Sequence, residues 1–187
     1  MTRYALTVAP TEEPITLDQA KAHARVQHIY LDSQIPVFIK AGRVWLESET
    51  SRAIMEQTWT ATLDKWPSIE PGERTRRVLL NPRNPEAVVS VTVDGVTIDP
   101  SLYMLDGSEL VVSGDVAQSE ASLGNGIVIT YTAKASDAQL EVFRLALKLL
   151  VAFWIENPEA ARNDGAWPAI STFGVDALIT PLRWLEV

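Results

Sequence analysis

The two histidines of the chain are the first residues whose chemistry has to be considered. His23 and His28 lie close to Asp18, Lys21 and Asp32 in the sequence, a combination that could serve acid–base catalysis or metal binding. On a helix, however, their spacing corresponds to about 140° of rotation, so the two imidazoles face different directions. Metal-binding pairs need a spacing of three or four residues, as in HExxH. We therefore interpret both histidines as structural, with His28 at the edge of a core.

Acidic residues in the centre of the chain are the other source of acid–base chemistry. Glycoside hydrolysis needs two carboxyl groups that flank one bond, but the acidic side chains here fall mainly on polar faces or in turns, where backbone geometry explains them. They are Glu56, Asp64, Asp94, Asp99, Asp106, Glu109 and Asp115. No pair stands out, and GxSxG, Walker A and GxGxxG motifs do not occur. We predict no catalytic residue, no metal ligand and no cofactor.

The composition indicates a soluble globular protein. Of 187 residues, 47% are hydrophobic and 21% charged. The net charge of −8 disfavours general binding to phosphate backbones, which requires clustered Lys and Arg. No cysteine is present, so disulfides and thiolate chemistry are excluded. The apolar run at 142–155 contains Arg144 and Lys148 and is too short to span a membrane, and the N-terminus lacks an apolar signal core.

The elements that must position any site begin with two helices. Thr16 and Gln19 form a capping box, which predicts a first helix at about 16–28. Apolar residues at helical spacing then predict a second helix that ends near Thr50. A further capping signal, Ser136 with Gln139, begins a long helix that ends before Pro158.

Between these helices the pattern changes to the alternation of strands. In the stretch IMEQTWTATLD every second residue is mainly apolar, which is typical of a half-buried strand. Asp-Gly dipeptides at 94–95 and 106–107 indicate two hairpins. The prediction is an antiparallel β subdomain of six or seven strands.

Together these segments predict an α+β fold: a small helical bundle of two N-terminal helices and one long C-terminal helix, with an inserted antiparallel β subdomain. The predicted division is residues 1–53 as an N-terminal helical hairpin, 54–132 as the β subdomain, 133–158 as the long helix and 159–187 as a C-terminal tail.

Two groups of residues are candidates for protein contacts. Arg74, Arg76, Arg77 and Arg83 form the only basic cluster; a solvated loop and pairing with an acidic neighbouring subunit both remain open. The tail becomes apolar towards its end and has no neighbour of its own to pack against. Tryptophan and arginine commonly anchor interfaces, so Arg183 with Trp184 belongs either to an interface or to an intramolecular contact.

Seven ordered segments resemble the head–tail connector (adaptor) family of tailed bacteriophages and related gene transfer agents, across nearly the whole chain. They are ITLDQAKAHARV, AGRVWLESETSRAI, TWTATLDKWP, SVTVDG with YMLD, VITYTA, LKLLVAFWIENPEA and GVDALITPLRW. The chain departs from the family pattern at AKASDAQ, where a glycine-rich turn and a proline are usual, and at Asn157-Pro158.

This resemblance implies a structural protein that forms a ring of about twelve copies beneath the portal of a capsid. The ring would bridge the portal to stopper or tail-terminator proteins, and DNA would pass through its lumen without sequence-specific binding. The particle would be assembled in the bacterial cytoplasm, and the protein would have no membrane partner. The tail would dock on the portal, through Trp167, Phe173, Leu178, Arg183 and Trp184. Independently of the resemblance, pairing with an acidic neighbouring subunit would place the basic cluster at a subunit interface.

A different class of function is a ligand- or carbohydrate-binding module in a virion component. On this hypothesis the β subdomain would bind glycans, with an exposed Trp66 as the platform for the sugar.

Overall fold

A computed structural model of the chain describes residues 2–119, 126–157 and 169–183. For residues 169–173 it describes the backbone only. The chain divides into two compact units. Residues Met1–Pro10 and Glu56–Lys134 form one, and residues Thr11–Met55 and Ala135–Val187 form the other. We call them the sheet unit and the helical unit.

Four helices make up the described part of the helical unit: α1 (Leu17–Ala24), α2 (Ile35–Thr50), α3 (Asp137–Glu156) and α4 (Ala169–Ile179), which continues into a 3₁₀ turn at Thr180–Leu182. Both predicted capping boxes are confirmed. The Thr16 hydroxyl accepts from the Gln19 N–H, and the Gln19 side chain accepts from the Thr16 N–H; Ser136 and Gln139 repeat this exchange. The first helix ends earlier than predicted, because Arg25 takes a left-handed conformation (φ 55°).

Helices α2 and α3 run antiparallel and in close contact. A Cβ atom on Gly42 would lie 2.5 Å from Leu147 Cδ1, so glycine permits the approach. One turn earlier in α2, Phe38 meets Trp154, further along α3, edge to face at 6.0 Å. Side chains from all four helices share the core of this unit.

The sheet unit contains two antiparallel sheets. Their strands are β1 Thr2–Val8, β2 Gln57–Leu63, β3 Thr75–Leu79, β4 Pro85–Val93, β5 Val96–Thr97, β6 Tyr103–Asp106, β7 Glu109–Ser113 and β8 Ile127–Ala133. The first sheet has five strands in the order β1-β2-β8-β4-β5, and the second has three in the order β3-β7-β6. Asp94 and Gly95 both have positive φ, 50° and 83°, and form the predicted turn of the β4–β5 hairpin. A second hairpin, β6–β7, turns at the other Asp-Gly pair.

The α+β class is therefore as predicted, a helical part with an inserted antiparallel β part. The sequence predicts helices alone in residues 1–53, but the structure also contains a strand there. Thr2–Val8 pairs with β2 as an edge strand. Threonine, tyrosine and valine favour strands, but the partner strand lies far away in the sequence. No helix within the described ranges is long and apolar enough to cross a membrane.

Candidate interaction surfaces

The described part of the C-terminal segment is anchored on the helical unit. Val175 and Ile179, four residues apart on one face of α4, are buried in the helical core, and Leu178 and Leu182 pack against it. The expectation that the tail lacks a neighbour of its own was wrong for this part. The reason is that apolar residues at 175, 178, 179 and 182 give the segment one apolar face, which the core covers.

Polar contacts hold the same segment in place. Nη2 of Arg183 lies 2.9 Å from Glu49 Oε2 and 2.9 Å from Asp176 Oδ1. The Nε–H of Arg52 donates to the Leu182 carbonyl at 2.7 Å. Of the two alternatives for Arg183, these bonds show an intramolecular contact.

The other three predicted docking residues are Trp167, Phe173 and Trp184. Trp167 and Trp184 lie outside the described residues, as does the side chain of Phe173, whose backbone belongs to α4.

The four arginines of the basic cluster do not share one surface. Strand alternation along β3 buries Arg76 and exposes Arg77. Nη1 of Arg76 donates to the Val116 carbonyl at 2.7 Å. Arg77 forms ion pairs with Glu109 at 2.9 Å and Asp106 at 3.0 Å, and the hydrogen bonds to these carboxylates raise its pKa.

Arg74 and Arg83 lie outside β3. Arg74 is exposed and precedes the strand, while Arg83 is half-buried. Burial raises the pKa of Tyr4 and Tyr131, and the nearby charge of Arg83 opposes this effect in both. Of the four arginines, Arg74 and Arg77 are the ones whose side chains are exposed.

The histidines are both exposed and do not converge. His23 lies in the last turn of α1, and His28 packs against Tyr30 with the rings tilted by 36° and their centroids 3.9 Å apart. The expected core-edge position of His28 was wrong, because α1 ends before it and the loop carries it into solvent. Among the described residues, no group of three or more His, Asp or Glu side chains could hold a metal ion.

Several acidic residues of the sheet unit have local structural roles. Asp99 caps the 3₁₀ turn that follows it, and the Ser101 N–H donates to its carboxylate at 2.8 Å. This hydrogen bond lowers the pKa of Asp99. Asp106 binds Arg77, and Asp94 accepts from the Ser119 hydroxyl at 2.6 Å. These carboxylates are therefore engaged in turns and ion pairs.

Trp66 is not the exposed platform that a glycan-binding module would need. Its side chain is buried in the sheet-unit core, with only 4% of its surface exposed. Its indole N–H donates to the Ala117 carbonyl at 3.1 Å, and its backbone N–H donates to Gln118 at 3.0 Å. The specific argument for carbohydrate binding is thereby removed.

A buried ion-pair network in the helical unit was not predicted. Arg43 lies 2.7 Å from Glu13 Oε2 and 2.7 Å from Glu47 Oε2. Burial alone would lower the pKa of Arg43, but the two carboxylates together raise it. The other oxygen of Glu47 accepts from the Ile54 N–H at 2.9 Å. The network joins the segment before α1, helix α2 and the segment after it. The spacing of Arg43 and Glu47 is a sequence signal, but Glu13 lies too far away along the chain.

The outer faces of α2 and α3 expose large apolar side chains. Two lie on each helix: Val37 (64% exposed), Val44 (52%), Leu145 (44%) and Leu149 (36%). Exposed charged residues stand on the same faces, Lys40 on α2 and Glu156 on α3. Such a mixture of apolar and charged groups is common where proteins contact one another.

The chain therefore has an α+β fold in which most of the sheet unit is inserted between α2 and α3 along the sequence. Three solved structures are similar over nearly their full length. One is the neck of an empty gene transfer agent particle computed with six-fold symmetry (21% identity, 100% of this chain and 97% of the other, TM-score 0.67). The others are a virion of a native gene transfer agent particle (18%, 98% and 96%, 0.67) and the neck of a native particle computed with twelve-fold symmetry (20%, 100% and 97%, 0.62).

These likenesses show that the whole chain shares the fold of those three chains. No protein-family model matches the sequence, and no curated protein matches it.

Proposed function

We propose that this chain is a structural component of the neck of a phage-like particle, a head–tail connector that assembles into a ring beneath the portal. The observation that carries this proposal is the reciprocal full-length likeness to chains of gene transfer agent particles. Because both chains are covered almost completely, the likeness concerns the entire arrangement of elements and not one common subdomain. The ordered sequence segments of the connector resemblance support the same proposal.

In this function the protein acts by assembly and not by catalysis. We infer a ring of this chain, twelve-fold in keeping with the symmetry used for one of the similar necks. It would contact the portal on one side and stopper or tail-terminator proteins on the other, with DNA passing through the lumen. A net charge of −8 suits such a channel, because an acidic wall repels DNA that must move through it.

We place the portal contact on the C-terminal segment. The residues proposed for it are Trp167, Phe173, Leu178, Arg183 and Trp184. Since Leu178 packs on the core and Arg183 binds Glu49 and Asp176, these two would position the segment, and the aromatic side chains would supply the contact.

The basic cluster is reduced to two candidates for a subunit contact. The exposed Arg74 and Arg77 are the members available to a neighbouring subunit, whereas Arg76 is buried.

Deletion of the gene in the producing cell tests this function. We expect DNA-containing heads that lack tails, with tails restored when the gene is supplied in trans. A complementing variant with Lys65→Glu, a change at an exposed residue, serves as a control that should also restore tails. Tailed particles in normal number from the deletion strain would contradict the proposal.

A further inference from the structure

The outward face of α2 carries one continuous row of small and apolar residues. Val37, Ala41, Val44 and Ser48 follow one another at intervals of four, three and four residues, and all four are exposed. This alternation keeps a row on one side of a helix and is the spacing by which helices pack along a shared seam. We call these four residues the α2 stripe.

The outward face of α3 carries a second row with the same spacing. Leu145, Leu149, Ala152 and Glu156 again follow at intervals of four, three and four. Leu145, Leu149 and Glu156 are exposed, and Ala152 is half-buried. We call these four residues the α3 stripe.

The two stripes match in one antiparallel register. Because the sequence of intervals reads the same in both directions, reversing one helix brings all four positions of one stripe opposite all four of the other. The pairs are Val37 with Glu156, Ala41 with Ala152, Val44 with Leu149 and Ser48 with Leu145. In two of these layers a leucine lies against a smaller side chain, which favours close packing.

Charge complementarity supports the same register. Lys40 lies beside the α2 stripe, one turn after Val37, and is exposed. With Val37 opposite Glu156, the Cα atom of Lys40 lies about 4.5 Å along the helix axis from the level of Glu156, a separation that the lysine side chain can span. Glu156 is the last residue of α3, where the helix dipole also favours a cation. A lysine and the carboxyl end of a helix are therefore brought together at one end of the contact.

The stripes lie on opposite sides of the α2–α3 pair within one copy. Gly42 and Leu147 mark the faces by which the two helices touch each other. Val44 lies about 160° around α2 from Gly42, and Leu149 about 160° around α3 from Leu147. A surface on one side that fits a different surface on the other side propagates from copy to copy, and closes into a ring when the rotation completes a circle.

The direction of the helices agrees with such a ring. Since α2 and α3 run antiparallel in the helical unit, α2 of one copy is antiparallel to α3 of the next when the rotation between copies is small. In a ring of twelve this rotation is about 30°, so the two helices stay roughly antiparallel across the contact.

We propose that the α2 stripe of one copy packs antiparallel against the α3 stripe of the next copy, and that this contact builds the ring. The occupant of each stripe is a second copy of this chain. The inference rests on the proposed function, which supplies the ring, and adds the surfaces and the register by which it forms.

Engineered cysteines provide the direct test, because the chain contains none. A variant with Ala41→Cys and Ala152→Cys, the layer with the smallest side chains, is incorporated into particles, oxidised mildly and analysed without reductant. A disulfide needs the two Cβ atoms within about 4.5 Å, so a near match of register is required. Each copy would join the next on both sides. We therefore expect a ladder of covalent oligomers that extends beyond the dimer.

Matched cysteine controls make the ladder specific. Either single cysteine variant can give dimers at most. The pair Ala41→Cys with Leu145→Cys places the second cysteine about 10 Å from its partner in the proposed register. This pair should give no ladder.

A steric substitution tests the contact without oxidation. Ala41→Arg places a long charged side chain in the closest layer, and we expect incorporation into particles to fall about tenfold or more. Ala22→Arg makes the same change at an exposed alanine of α1, outside both stripes, and should leave incorporation unchanged. Because both alanines are exposed, the urea midpoint of each purified variant should stay close to that of the natural protein.

The failures are distinguishable. Suppose that the single cysteine variants enter particles but the variant with Ala41→Cys and Ala152→Cys forms no ladder. The proposed contact is then wrong and the neck function stands. The same conclusion follows if only the variant with Ala41→Cys and Leu145→Cys forms a ladder. Normal incorporation of Ala41→Arg would likewise refute the contact alone. If the natural protein is absent from purified particles, both the function and the contact are refuted.

Discussion

The most informative perturbation of the fold compares the same substitution at two arginines, each paired with two carboxylates. Arg43 is buried, with 6% of its side chain exposed, and binds Glu13 and Glu47. Arg77 is 45% exposed and binds Asp106 and Glu109. Counting ion pairs would give the two arginines equal weight, whereas burial predicts very different effects.

Breaking a buried ion pair costs about 3–5 kcal/mol, because the remaining charge stays desolvated. Glu13 and Glu47 retain some solvent contact, with 31% and 16% of their side chains exposed, and Glu47 keeps its bond to the Ile54 N–H. We therefore expect Arg43→Met to lower the free energy of unfolding of the helical unit by about 3 kcal/mol, the lower end of that range. Arg77→Met should behave like an ordinary surface substitution, since solvent screens exposed pairs.

Urea unfolding followed by far-UV circular dichroism measures both variants. A loss of about 3 kcal/mol corresponds to a midpoint shift of about 1–3 M urea. Adding Glu13→Gln to Arg43→Met should recover part of the loss, because it removes one of the unpaired carboxylates and leaves the bond from the Ile54 N–H to Glu47 intact. Equal effects of the two arginine substitutions would refute the argument that burial, and not the number of ion pairs, decides their contribution.

Three further predictions concern the sheet unit and the C-terminal segment. Tyr131 is fully buried, and its hydroxyl donates to the Asn81 carbonyl. Burial raises the pKa of Tyr131 in the folded protein. The stability that Tyr131 contributes is therefore complete below its unfolded pKa of about 10 and is lost as the pH rises above that value. Tyr131→Phe should flatten the fall in urea midpoint between about pH 9 and pH 11, and an unchanged fall would contradict this cause. Ile179→Ala should destabilise the helical unit by about 2–5 kcal/mol in the same urea assay, because it leaves a cavity in a core position, while the exposed Thr180→Ala should change little; similar midpoints for both would argue against α4 as part of the core. Removal of residues 184–187 should change the urea midpoint no more than an ordinary surface substitution does. The same truncation should weaken the pull-down of purified portal protein. Undiminished portal binding would contradict the role proposed for Trp184.

The features that could be predicted from the sequence depend on local chemistry. Capping boxes at Thr16 and Ser136 bond only within one turn of helix, so four consecutive residues suffice to identify them. The Asp94-Gly95 turn is equally local, because positive φ at both positions restricts the residue types. These signals located the helices and hairpins, and with them the α+β class.

The features that could not be predicted depend on distant partners. β1 becomes a strand by pairing with β2 across the chain, and Trp66 is buried by a segment far away in the sequence. The same holds for Arg183, whose partner Glu49 lies on α2. For the candidate contacts, the sequence shows the residue types but not the exposure of each side chain. The basic cluster is continuous in the sequence, whereas in the structure strand alternation buries Arg76 and exposes Arg77.

The α2 and α3 stripes combine both kinds of information. Their intervals of four and three residues can be read from the sequence, but a helix has several such rows. Only the burial pattern of α2 and α3 identifies which row faces outward. Sequence and structure together are needed to recognise the match between them.

The central claim is that this chain forms the connector ring of a phage-like neck, and cryo-electron microscopy of the purified particles tests it most directly. A reconstruction of the region between head and tail should contain a ring of this chain directly below the portal. Its copies, about twelve in number, should contact one another through α2 and α3. A neck in which every ring is formed by other proteins would contradict the account.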